Sequence, residues 1–181
     1  MTEVLATESA LCRACGLCCQ GQLYGWVSLR VDEVERVKTW PVTLVQHGDV
    51  AGFSQPCGCF REQQCSVYSQ RPKTCVEYRC QLLRRLRQSE TTQPVALELV
   101  RLARGFFDQI QARLPADQGK RIWQRIIERW DLTTLKSLLV RGDIDSATLM
   151  AIVSLDVLLT KHFRLVKEAA APVVSADQPT S

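Results

Sequence analysis

Imidazole is nearly missing from this chain of 181 residues: there are two histidines, His47 and His162, and neither has a partner at ligand spacing. Mixed Cys/His zinc-finger chemistry therefore has little support. Aromatic residues are sparse at 7%. Long apolar runs are absent as well. The longest, Leu149 to Leu159, is eleven residues and contains Asp156, which suits a buried core helix and falls short of a bilayer span. The first ten residues are acidic and lack the basic and apolar regions of a secretory signal, which predicts a cytoplasmic protein. Beyond residue 90 there is no glycine-rich phosphate loop, no nucleophile elbow and no paired acid motif.

What remains is an ordinary globular balance, 46% hydrophobic and 23% charged. The length suits one domain or a small module with a helical extension. The net charge of +4 is carried mostly by 17 arginines against 6 lysines, which permits a weak anionic partner without implying one.

Cysteine is the exception. All nine fall at or before residue 80, at positions 12, 15, 18, 19, 57, 59, 65, 75 and 80. An odd number cannot pair completely, and a reducing compartment does not maintain structural disulfides, so metal or redox chemistry is the better reading. Cys12, Cys15, Cys18 and Cys19 lie within eight residues, spaced so that a tight turn or helical start can aim successive sulfurs at one soft metal centre. Gly16 lets the backbone turn closely there. A second station follows at Cys57, Cys59, Cys65, Cys75 and Cys80. Free cysteine also serves as a small buried hydrophobe, and Cys59 is the first to which that bland role is assigned.

The elements Cys15-Gly16-Leu17-Cys18-Cys19, then Pro56-Cys57, then the run from Cys65 to Cys80 with Tyr68, Arg71-Pro72, Cys75 and Tyr78 resemble the CxxCxxCC family, named for zinc or iron chelation. The resemblance covers roughly residues 12 to 80. It marks Cys12, Cys15, Cys18, Cys19, Cys57, Cys65, Cys75 and Cys80 as metal-site positions. Cys59 stands where the family commonly has an aromatic or apolar residue, which leaves its role open. One branch with a similar cysteine pattern, the flagellin lysine N-methylases, is associated with an iron-sulfur cluster and methyl transfer. That branch is much longer than this chain, and its activity is not carried over.

An all-sulfur ligand set suits tetrahedral zinc or an iron-sulfur cluster and argues against magnesium or calcium. Cys12, Cys15 and Cys18 fit the three-plus-remote-one arrangement of a [4Fe-4S] site. Vicinal Cys18 and Cys19 are awkward for one ion, because adjacent side chains in extended backbone diverge, so Cys19 is a candidate for a second site or a different oxidation state. Arg71-Pro72 can fix a turn and offset thiolate charge, while Tyr68 and Tyr78 can shield the sulfurs. His47 in its Gly/Asp-flanked loop reads as a surface residue, with a supplementary ligand as the sharper alternative; His162 reads as structural.

The fold expected is mainly α: a small cysteine-rich metal-binding module with little β over 1–90, a C-terminal helical bundle over 91–168, and a disordered tail over 169–181. A strand at Trp26–Leu29 leads into a helix near Val31–Trp40, which has Asp32 and Glu33 in its first turn. A helix is expected over Cys75–Gln88, its Arg84, Arg85 and Arg87 forming a solvated face and, lacking interleaved aromatics, making a poor nucleic-acid patch. After Pro94, the stripe Val95, Leu99, Leu102, Phe106 and Ile110 marks one amphipathic helix of about five turns. Ile122, Trp123, Ile126, Ile127 and Trp130 mark a second. Leu135, Leu138 and Leu139 mark a third, closed near Gly142. Leu149, Ile152, Val153, Leu159 and Phe163 mark a fourth behind the cap Asp145.

The function expected is chelation of an iron-sulfur cluster or zinc by clustered thiolates, with the bundle available to a protein partner and no membrane partner. A redox or group-transfer enzyme is the first alternative and a thiol-disulfide switch the second. A closed, fully ligated site would mean a structural or binding module, and an open position or cleft beside the metal would mean an enzyme.

Overall fold

The structure is a computed structural model that describes residues 2–114 and 132–165. It is mainly helical with two small sheets, as the composition and patterning predict. The expected second amphipathic helix at 122–130 and the expected tail at 169–181 lie outside the described residues.

Helix α1 (Thr2–Cys15) carries the first two cysteines on its last turns. Strand β1 (Trp26–Ser28) and helix α2 (Val31–Val37) follow where the patterning puts them. Strands β2 (Leu44–His47) and β3 (Val50–Ser54) then form a hairpin around Gly48, at φ 60°, and β3 takes the centre of a three-stranded antiparallel sheet with Val27 opposite Phe53. A second hairpin joins β4 (Phe60–Arg61) to β5 (Gln64–Cys65). Its two loop residues, Glu62 and Gln63, both sit at positive φ. That geometry usually recruits asparagine or glycine, so no residue type announces the turn.

The expected continuous helix over Cys75–Gln88 is instead two helices, α3 (Lys73–Glu77) and α4 (Gln81–Arg87). The break has a physical reason. Tyr78 and Cys80 are both extended, Cys80 becomes the N-cap of α4, and Arg79 swings back to pair with the buried Glu8 of α1 at 3.1 Å.

Helix α5 (Gln93–Arg113) starts with proline in its first turn, as expected, but turns a different face inward. Ala96, Val100, Ala103, Phe107 and Ile110 are buried, whereas Val95 is 53% exposed and Leu102 38% exposed. Two alanines at seven-residue spacing let α5 approach its neighbours closely, and the larger Leu99 and Phe106 flank that contact, only partly buried. Helices α6 (Leu132–Val140) and α7 (Ser146–His162) are the last two among the described residues. The Asp145 side chain accepts from the Thr148 N–H at 2.6 Å, the expected cap, and Gly142 at φ 76° follows α6.

Two hydrophobic cores result. The helical core joins α1, α4, α5, α6 and α7 and includes Leu11, Leu82, Val100, Ile110, Ile152, Leu155 and Phe163. The sheet core is small: Val27, Leu29, Val37 and Phe53, with Tyr24, Trp40, Cys57 and Cys75 packed against it.

Candidate metal centre

Between these cores lies a cavity of about 680 Å³, and Cys12, Cys15, Cys18, Cys19, Cys57, Cys65, Cys75 and Cys80 all line it. Its helical wall includes Leu11, Leu82, Leu83, Val100 and Phe163, and Phe53 and Trp40 stand on the sheet side. Cys59 does not line it; its side chain is fully buried and its carbonyl accepts from both the N–H and the hydroxyl of Ser66. Its thiol shares a hydrogen bond with that of Cys57, which does line the cavity.

Each sulfur is placed by local sequence. Cys12 and Cys15, three apart on α1, share a helix face, and Arg104 of α5 donates to the Ala14 carbonyl at 2.8 Å to hold that end in place. The chain then turns through Gly16 at φ 66°, where a Cβ would lie 2.2 Å from the Phe60 ring, so glycine is required twice over. Hydrogen bonds from Gln20 N–H to Gly16 and from Gln22 N–H to Leu17 close the loop that presents Cys18 and Cys19. Cys57 donates its N–H to the Cys19 carbonyl at 2.8 Å, and Cys65 pairs with Phe60 across the second hairpin. Helix α3, which carries Cys75, is tied to the sheet side twice: its Lys73 N–H donates to Glu33 Oε1 at 2.7 Å, and the Thr74 hydroxyl donates to the Ser28 carbonyl at 2.8 Å. Cys80 caps α4, whose Gln81 N–H donates to the Phe163 carbonyl at 2.9 Å.

Burial dominates the electrostatics. It pushes the Cys12 and Cys75 thiols up to about 11 and Cys15 up to about 12, and it raises Cys18, Cys57 and Cys80 as well. Cys80 adds to the rise at Cys12, Cys15 and Cys18, and Cys75 adds to the rise at Cys18. Cys19 shares a side-chain hydrogen bond with Cys65 that raises Cys19 and holds Cys65 down at about 6, against the opposing effect of burial. Tyr24 hydrogen-bonds Cys75 and lowers it. Two guanidiniums, those of Arg71 and Arg13, lie against the Tyr68 ring at 3.5 and 4.3 Å from its centroid, and all three residues line the cavity. Arg71 lowers Cys12, Cys65 and Cys75.

Residues 11–96 match a family model, CxxCxxCC, described as a "Putative zinc- or iron-chelating domain". No curated protein and no solved structure matches the chain. The CxxCxxCC match runs past Cys80 into the first turn of α5, so it takes in every cavity cysteine.

The donor set fits the soft metals of such a domain. Eight sulfurs face the cavity with one carboxylate residue, Glu62, and no histidine. Among the described residues no group of three or more His, Cys, Asp or Glu side chains is arranged to hold a single ion. The thiols ring a space and do not close on a point. His47 is exposed at the end of β2, stacked on Trp26 at 4.8 Å and absent from the lining; His162 sits in the last turn of α7. Tyr68 and Tyr78 line the cavity as expected, and Tyr24, Arg13 and Arg104 join them without having stood out in the sequence. Tyr24 lies outside any repeated spacing, and arginine is too common here for two of them to signal a site.

Proposed function

We propose that this protein binds iron as a thiolate-ligated iron-sulfur cluster through Cys12, Cys15, Cys18, Cys19, Cys57, Cys65, Cys75 and Cys80. One observation supports this over a single zinc ion: eight sulfurs, twice the four that one zinc takes, line one cavity of about 680 Å³. Zinc requires four ligands within about 2.3 Å of one point, whereas a cluster spreads its thiolates around a body of several iron and sulfide atoms. The raised thiols fit a site completed by metal, since ligation releases each proton and gives the sulfur a partner that burial alone denies it. The arginines beside Tyr68 would offset the negative charge of the ligated sulfurs. Nine cysteines without a disulfide suit a reducing cytoplasm. The helices α5 to α7 then form the bundle that backs one wall of the site and offers its outer face to a protein partner.

The test is iron, zinc and acid-labile sulfide content, with the absorption spectrum, on protein purified anaerobically. Iron with matching sulfide and a broad band near roughly 400 nm is the expected result. Stoichiometric zinc without sulfide overturns the cluster and leaves a structural zinc module. Absence of both favours a thiol-disulfide switch, for which the Cys19–Cys65 hydrogen bond is the specific support. Thiol counting with and without oxidant then decides whether that pair loses two protons and two electrons to form a disulfide.

A further inference from the structure

The eight cavity cysteines stand on two separately built walls. Cys12 and Cys15 are on α1 and pack against the helical core, and Cys80 is buried within it. Cys18 follows Leu17, a fully buried member of the same core. Opposite them, Cys57 and Cys75 pack against the sheet core. Cys65 lies on the second hairpin, across from Phe60, whose N–H bonds the Cys57 carbonyl. Cys19 is joined to this side by the Cys57 N–H at 2.8 Å. The division of the cysteines therefore follows the division of the cores, and it falls between the adjacent residues Cys18 and Cys19.

An aromatic contact lies at the same boundary. Tyr78 packs on the helical core and Tyr24 on the sheet core, and their rings meet edge to face at 4.7 Å, both lining the cavity. Cys18 and Cys19 lie in a hydrogen-bonded turn and not in extended backbone, and the vicinal pair has a use if each sulfur serves its own wall.

Resting on the cluster reading above, we propose that the chain holds two metal centres, one on Cys12, Cys15, Cys18 and Cys80 and the other on Cys19, Cys57, Cys65 and Cys75. Each set supplies the four thiolates that a [4Fe-4S] cluster takes. The first set combines a C-x2-C-x2-C run with a remote fourth ligand. The second is assembled from four separate elements and depends on the sheet core for its shape.

Native mass spectrometry of the full chain, reconstituted anaerobically with ferrous iron and sulfide, tests this without any variant. Two equal mass increments of one cluster each are expected, lost in two steps as chelator is added. A single increment overturns the two-centre division and leaves cluster binding standing. No increment at all overturns cluster binding, and the division with it. Two double variants then assign the sets: Cys12→Ser with Cys80→Ser, and Cys57→Ser with Cys75→Ser. Each is expected to keep about half of the iron and sulfide. Either one losing all of its iron while its far-UV circular dichroism matches the parent overturns the division. If a variant does not fold, the increments of the unsubstituted chain decide.

Discussion

The two cores of this protein hold their surroundings together by different means. Among the described residues the helical core gathers nineteen buried residues from five helices and the segments beside them, whereas the sheet core has four, under three short strands and a helix of two turns. At about 25 cal/mol per Å² of apolar surface, a core of four side chains cannot offset the conformational entropy of the segments around it. Small sheets of this size are marginal without further support. Four of the eight lining thiols, Cys19, Cys57, Cys65 and Cys75, lie on the sheet side in turns, a short hairpin or a short helix, where ligation would compensate for the small core. What the comparison teaches is that a metal here would substitute for a missing core on one side and merely decorate an adequate core on the other.

The largest expected effect follows from that asymmetry. Stripping the metal with a chelator should abolish hydrogen-exchange protection in β1, β3 and α3 while α5 and α7 keep most of theirs, because ligation energy is folding energy only where no other core exists. Exchange followed by mass spectrometry of peptides covering Val27, Phe53 and Ile152 reads this directly. Simultaneous loss of protection in both regions would erase the distinction.

The converse experiment truncates the helical side. Ile152 is 1% exposed in the middle of α7, and Ile152→Ala should cost about 2–5 kcal/mol through lost burial and an imperfectly collapsed cavity. The cost should be the same in metal-loaded and metal-free protein, since the side chain belongs to a core that stands without the metal. Urea denaturation in both states measures it, and a cost confined to the loaded form would mean that the helices depend on the site after all.

How legible this was from the sequence depended on what carried each signal. The cysteine positions were readable because four thiols in eight residues have few bland explanations, and Arg71-Pro72 and Tyr68 belong to the same run. The three described helices of the second half were readable because apolar spacing at three and four residues is a property of single segments. Yet even there the buried face of α5 passed through Ala96 and Ala103, small residues that a hydrophobic stripe undervalues. The break at Tyr78–Cys80 was hidden because its cause is tertiary: Arg79 turns toward Glu8 and Cys80 toward the cavity, partners more than sixty residues away in one case and dispersed along the chain in the other. The second hairpin escaped for a local reason, since Glu62 and Gln63 adopt a turn that their residue types rarely choose. Which sulfurs face one another was not legible at all, because the walls that sort them are made by the cores.

The smallest effect concerns the joint that holds Cys75 to the sheet side. Glu33 is 6% exposed, and its two carboxylate oxygens accept from the Arg30 N–H at 2.9 Å and the Lys73 N–H at 2.7 Å, linking the starts of α2 and α3. Glu33→Ala leaves both backbone donors without their acceptor, at a cost of about 1–3 kcal/mol. If the two sides are supported separately, this cost should fall on the sheet side alone, with faster exchange in α2 and α3, faster release of iron to chelator, and no change in the exchange of α5 and α7. Release kinetics and peptide-resolved exchange on the same preparation separate the cases: an equal increase of exchange across α7 would show that the joint supports the whole molecule, and the contrast between the two cores would then be one of size only.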